Sequence, residues 1–227
     1  MLQEIQNDVD RTRKDFEFFT RPATRQALQT VLFIYARLNP GVRYVQGMNE
    51  VAAVLLYVLS GDAESAEADT FWCFSELMVE IKEGFMQTMD QTAEGVNGLV
   101  EGVTQLLRSY DVELARHLRH SELPPFVWVF RWCTVLFAQE LTLPDCIRLW
   151  DSLIADPHRF QFLTHTAVAV VLERREELLG LGKQFALAEA LQAAPRQCDL
   201  EALMRRARAI CAFERRCDAP RFPPRPP

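Results

Sequence analysis

Apolar residues recur along most of this chain at the three-and-four spacing of an α-helix. Leu28, Val31, Leu32, Tyr35 and Leu38 make one such stripe. It follows Thr20-Arg21-Pro22, where Thr20 can cap a helix and the proline is tolerated in the first turn. Asn39-Pro40-Gly41 stops it, because proline cannot continue a helix and glycine relaxes the turn. The next segment, Gln46–Leu59, is apolar on nearly every side, the pattern of a buried helix, and Ser60-Gly61-Asp62 ends it. The same periodicity predicts helices over Ala66–Ile81, Leu99–Arg119, Pro125–Glu140, Pro144–Ala155, Leu163–Leu179, Gln184–Ala193 and Leu200–Arg215. No stretch alternates strictly with a turn pair, and no fixed-period repeat is visible, so hairpins and solenoids are disfavoured. The predicted fold class is all-α, a bundle of about nine helices with no significant sheet.

Composition narrows the function. Hydrophobic residues make up 49% of the 227 positions, enough for a sizeable core. The net charge of −6, with no dominant basic stripe, argues against a nucleic-acid partner. Met1–Asp15 is polar, and the longest apolar run, Val51–Leu59, is too short to span a bilayer. A cytoplasmic protein with no direct membrane insertion is expected. Six cysteines without a C-x-x-C pair read as reduced thiols rather than a disulfide framework. Pro220–Pro227 reads as a Pro-rich disordered tail, since its P-x-x-P spacings are common in any such tract.

Several conspicuous side chains have ordinary explanations. His117 and His120 share a helix face but lack a third ligand and are crowded by Arg116 and Arg119; His158 and His165 stand alone, so no metal site is expected. Trp72, Trp128, Trp132 and Trp150 sit in helical apolar patterns and read as core. Arg131 lies in an apolar helix and needs a buried acceptor, for which Glu140 and Asp151 are the candidates. Arg205, Arg206 and Arg208 read as a solvated helix face.

Two segments have the makings of a site. In Ile5-Gln-Asn-Asp8-Val-Asp-Arg11, a helix would group Leu2, Ile5 and Val9 on an anchoring face and leave Asp8 beside Arg11, three positions on. The carboxylate could orient the arginine, although an exposed helical ion pair has the same spacing. Tyr44-Val-Gln46-Gly47-Met48-Asn49-Glu50 follows a turn and opens the buried helix. There the backbone N–H groups favour anions, and Gly47 admits a close partner backbone. Gln46, Glu50 and Tyr57 would form a polar strip, and an ordinary strip satisfied by solvent or a buried network explains it as well as a site does.

The pattern I-x-x-D-x-x-R, followed after a helix by Y-x-Q-G-M, resembles the paired signature of TBC-domain Rab GTPase-activating proteins. The likeness continues in Asn39-Pro40, Phe71-Trp72, Phe130-Arg131-Trp132 and Leu149-Trp150-Asp151, and covers roughly Glu4 to Pro195. It implies an all-helical, V-shaped or two-lobed domain over 1–217, with the motifs in 1–60, the remaining helices in 61–217 and the tail in 218–227. Two departures stand out. The family's earlier R-x-x-x-W motif is missing, so the chain resembles a TBC domain without its first helices, and Arg43 stands where many members have glycine.

The resemblance implies an activator of a Rab-family small GTPase in its GTP-bound form, placed at membranes by that partner. Arg11 would stabilise charge on the transferred phosphoryl group and Gln46 would position the attacking water. Asp8 would orient Arg11, while Tyr44 and Gly47 would shape the loop presenting Gln46. The chemistries fit: a planar guanidinium bridges two phosphate oxygens, and a carboxamide offers a donor and an acceptor. Such a protein acts as a monomer, needs no cofactor or metal of its own, and completes another protein's active site rather than being an enzyme by itself. The alternatives are a non-catalytic Rab-binding scaffold on the same fold, which would need neither Arg11 nor Gln46, and a helical hydrolase using Asp8 and Asp10, which point to different helix faces.

Overall fold

The computed structural model describes residues 1–86, 94–157 and 160–218. The Pro-rich tail and His158 lie outside these residues. In order, the helices are α1 (Leu2–Val9), α2 (Glu17–Thr20), α3 (Pro22–Leu38), α4 (Met48–Leu59), α5 (Ala66–Met86), α6 (Glu94–Tyr110), α7 (Val112–His120), α8 (Phe126–Thr134), α9 (Leu143–Ala155), α10 (Gln161–Glu173), α11 (Arg175–Gly180), α12 (Gln184–Gln197) and α13 (Leu200–Asp218). No strand occurs among the described residues, so the all-α expectation holds.

The helix count exceeds nine because α1 and α2 precede the first predicted run, and because two long runs break where neither glycine nor proline marks the break. The run over 99–119 is interrupted at Asp111, whose extended backbone (φ −142°, ψ 93°) ends α6. Its carboxylate caps α7 by accepting the Leu114 N–H at 2.9 Å. Arg174 divides the run over 163–179 in the same unannounced way.

The break after α8 lies closest to the two motifs. Leu136 (φ 51°) and Phe137 (φ 61°) both adopt left-handed backbone. The Phe137 N–H donates to the Trp132 carbonyl at 2.7 Å and the Leu136 N–H to the Cys133 carbonyl at 3.2 Å. That pair of bonds is a Schellman ending, here with leucine at the position where glycine is usual. The Phe137 ring stacks on Trp132 at 5.7 Å, the apolar contact that accompanies such endings. Glu140, almost fully buried, then meets Arg131 at 2.5 Å, one of the two acceptors expected for that arginine.

By contact the chain forms two compact units. The first comprises Met1–Gly98 and Phe130–Ile147. In it α4 packs on α3 and α5, and α1 on α3 and α4, around Leu28, Leu32, Met48, Val51, Phe74 and Met78. Tyr35 meets Phe74 edge-on at 4.9 Å. Trp132 is core, as expected, but Trp72 is 65% exposed: its neighbour Phe74 occupies the inward position on α5 instead. The second unit comprises Leu99–Val129 and Arg148–Pro227. Its centre is α10, apolar all round, packed on α12 and α13. Trp128 and Trp150 are buried there, and His165, far from isolated, meets Glu214 at 2.6 Å. Cys133 and Cys146 are buried thiols pushed up to about 12 by desolvation, which leaves them inert.

Helix α4 is entered through Gly47, whose φ of +104° requires glycine. A Cβ there would also lie 2.9 Å from Val135 Cγ1, just ahead of the Schellman turn. Gly47→Ala should therefore cost about 2 kcal/mol or more, combining left-handed strain with overpacking. Gly41→Ala, with nothing near its Cβ, should change stability by about 0.5 kcal/mol or less. Equal denaturant midpoints for the two would contradict this account.

Asp111 supplies a pH test. Burial opposes its charge, but the Leu114 N–H and Arg175 outweigh it and hold the carboxyl below its ordinary 3.8. A depressed folded value stabilises the fold above 3.8 and ceases to do so as pH falls through that folded value. Asp111→Ala should lose about 0.5–2 kcal/mol near neutrality through the missing cap. The gap to the unaltered chain should close in acid, as followed by denaturant melts across pH.

Candidate functional site

The site is organised by one buried carboxylate. Ile5 and Val9 anchor α1, whereas Leu2 is 51% exposed, so the anchoring face is narrower than its spacing implies; Asp8 itself turns inward. Its side chain retains 8% exposure, and each oxygen has a partner. Oδ1 accepts from Arg11 Nη2 at 2.5 Å and Oδ2 from the Tyr44 hydroxyl at 2.7 Å. Burying a carboxylate is tolerable only with such charge-assisted bonds. The Tyr44 phenol is pushed far above its ordinary range by burial and then by Asp8, so it remains a donor.

Arg11 lies just past the end of α1, in a run of turns, with 64% of its side chain exposed. A second bond, from Nε to the Asn7 carbonyl at 3.1 Å, holds the same edge of the guanidinium. The fork is thus fixed in direction while the rest of it faces solvent.

The second segment meets the first through the same network. The Gly47 N–H donates to Asn49 Oδ1 at 3.1 Å, and Asn49 Nδ2 donates to Thr12 Oγ1 at 2.9 Å. The Thr12 hydroxyl in turn donates to the Asp8 carbonyl at 2.8 Å. Asp8, Arg11 and Tyr44 are therefore joined directly, and Gly47 is tied to them through Asn49 and Thr12. Gln46 is exposed and has no hydrogen-bond partner among the described residues.

Two local expectations need correction. Gln46 is not on a helix: α4 begins at Met48, because Gly47 turns the chain by its positive φ. Gln46, Glu50 and Tyr57 form no polar strip; Tyr57 packs edge-on against Phe16 and Phe18, at 5.4 Å and 5.3 Å. Glu50 sits beside Arg13, at 3.9 Å, and burial raises its carboxyl against the opposing pull of that arginine. Arg43, where the resemblance has glycine in many members, adopts φ 57°, the left-handed conformation that favours glycine.

Sequence reasoning missed Thr12, Arg13 and Asn49 as parts of this site, and set Glu50 in a polar strip rather than beside Arg13. Asn49 carried a usable signal, since a carboxamide inside an otherwise apolar helix must find partners. Thr12 and Arg13 carried none, because the contacts that tie them to the second segment and to the turn after α8 lie far away in sequence, at positions 49, 50 and 138.

The arrangement offers a guanidinium and a carboxamide to solvent. The hydrolase alternative lacks its second carboxylate: Asp10 accepts from Gln6 Nε2 at 3.0 Å and lies 3.7 Å from Arg25, outside the network. No group of three metal-binding side chains occurs among the described residues, and none of their helices is long and apolar enough to cross a membrane.

Comparison with known proteins agrees with the double motif. TBC1 domain family member 13 of Homo sapiens is 41% identical over 186 residues, 79% of this chain and 46% of that protein. Its Mus musculus counterpart is 45% identical over 159 residues, 68% of this chain and 40% of that protein. The chain thus spans less than half the length of these relatives. Among solved structures, the Ypt/Rab-GAP domain of Gyp1p aligns with a TM-score of 0.83 over 96% of this chain and 74% of that one; at 19% identity this concerns the fold alone. The family model of the Rab-GTPase-TBC domain matches residues 1–179, and with it the chain belongs to the Rab-GTPase-TBC domain family.

Proposed function

We propose that this chain accelerates GTP hydrolysis by a Rab-type small GTPase, supplying Arg11 and Gln46 to the partner's active site. The observation that carries the reading is Arg11 itself: a guanidinium pinned along one edge to a buried carboxylate and otherwise open to solvent. A surface arginine without such an anchor would spread over many rotamers, and ordering it on contact would be costly. Held as it is, it can meet developing phosphoryl charge with little further ordering. Gln46, exposed two positions beyond Tyr44 and unpartnered among the described residues, is free to orient a water. Asp8 and Tyr44 orient Arg11, and Gly47 sets the turn that offers Gln46. Nucleotide and metal belong to the partner. The chain acts on the GTP-bound form, as a monomer, and reaches membranes through that partner.

The test is single-turnover hydrolysis by a panel of GTP-loaded Rab-type GTPases. Arg11→Ala should abolish most of the acceleration, on the order of 10³-fold or more. It should also lower stability by about 1–3 kcal/mol, because Asp8 would be left with Tyr44 alone in a buried setting. Gln46→Ala should lose most activity with a stability change of about 0.5 kcal/mol or less. Arg11→Lys should keep the fold and fail in turnover, since an ammonium cannot span two phosphate oxygens. Binding of the GTP form without acceleration, unaffected by these substitutions, would favour a scaffold instead.

A further inference from the structure

Arg13 carries no part of the proposed chemistry, yet it is unusually placed. It stands two residues after Arg11 with a left-handed backbone (φ 41°), a conformation disfavoured for arginine. Its side chain is only 13% exposed, almost entirely withdrawn from water. Nη2 donates to the Ala138 carbonyl, in the turn after the Schellman ending of α8. Nε faces Glu50 Oε2 at 3.9 Å, a contact of charges rather than a hydrogen bond. Glu50 is equally withdrawn, on the first turn of α4, and Asn49 Nδ2 also reaches it, at 3.4 Å. Three separate stretches therefore converge on one guanidinium: the turn carrying Arg11, the start of α4 behind Gln46, and the turn over 135–138. That last turn approaches the second motif independently, since Val135 Cγ1 lies 2.9 Å from where a Cβ on Gly47 would be.

We propose that Arg13 is a positioning residue, clamping the Arg11 turn and the Gln46 turn to a common brace formed by residues 135–138. The proposal rests on the activator reading, because only that reading requires both side chains to be held in one frame. Surface display alone would not need a buried cation or a left-handed arginine. Nor is the Asp8 network a substitute: it fixes the direction of Arg11 but reaches the second motif only through Tyr44 and Asn49, leaving the brace untouched. Arginine suits the place because its always-charged fork can donate to a carbonyl from one nitrogen while facing a carboxylate with another.

The experiment uses Arg13→Gln, Glu50→Gln and the double variant. Arg13→Gln alone strands the Glu50 carboxylate without its counter-charge and should melt early, so the double variant carries the decision. It removes both charges, leaves no buried charge without its counter-charge, and should melt closer to the unaltered chain than Arg13→Gln does. With the GTPase from the panel that responds best, its kcat should still be lower by about 10- to 100-fold, the penalty of slight misplacement. Its Kd for that GTPase loaded with a non-hydrolysable GTP analogue should stay within about threefold, because ground-state contacts persist. Amide exchange at residues 11–13 and 45–48 should be faster by about tenfold. A double variant with undiminished kcat and undiminished protection would overturn the proposal, as would a loss of kcat matched by an equal loss of binding. If no panel member responds to the unaltered chain, the activator reading fails. The exchange comparison then still decides whether Arg13 braces the two turns.

Discussion

A carboxylate removed from water must be answered on both of its oxygens, and in this chain the two answers come from different motifs. Asp8 takes Arg11 on one side and Tyr44 on the other. Had either partner been absent, the cost of burial would favour an outward-turned carboxyl, and the two segments would lose their common point. The separation of the motifs is therefore more than a spacing. Helix α3 and the turn at Asn39–Gly41 have the length needed to return the chain so that Tyr44 reaches α1. Burial of Ile5 and Val9 against α3 and α4 keeps the meeting point in place.

Around that carboxylate the polar groups form a chain in which each donor has an acceptor. Gly47 passes to Asn49, Asn49 to Thr12, and Thr12 to the Asp8 backbone. Such networks are rigid when complete and costly when one member is lost. Rigidity here sits behind the exposed groups. Arg11 and Gln46 protrude from it, so the parts open to a partner are the parts the network does not consume.

Much of this was legible in the sequence, and the limits have physical causes. The all-α class followed from periodicity, and the stops at Asn39–Gly41 and Ser60–Asp62 from turn chemistry. The pairing of Asp8 with Arg11 followed from helical spacing, and Arg131 with Glu140 from the need to satisfy a cation among apolar neighbours. What stayed hidden were helix ends made without glycine or proline. Leu136, Arg174 and Asp111 end or divide helices through backbone bonds and a carboxylate cap, which their apolar and charged neighbours do not advertise. Trp72 misled because a helical stripe does not say which of two nearby aromatic positions faces inward. The role of Arg13 was invisible for another reason: its acceptor is a main-chain carbonyl, and every residue has one.

That bond, from Arg13 to Ala138, spans 125 positions of sequence. A nascent chain emerging N-terminus first would expose both motifs long before residue 138 existed, and contacts of such high order form late. A fragment ending after α4 would contain every residue of the paired signature and still lack the support beneath them. The signature and the main-chain acceptor beneath it thus belong to different stages of synthesis, since the bond from Arg13 can form only once the turn after α8 exists.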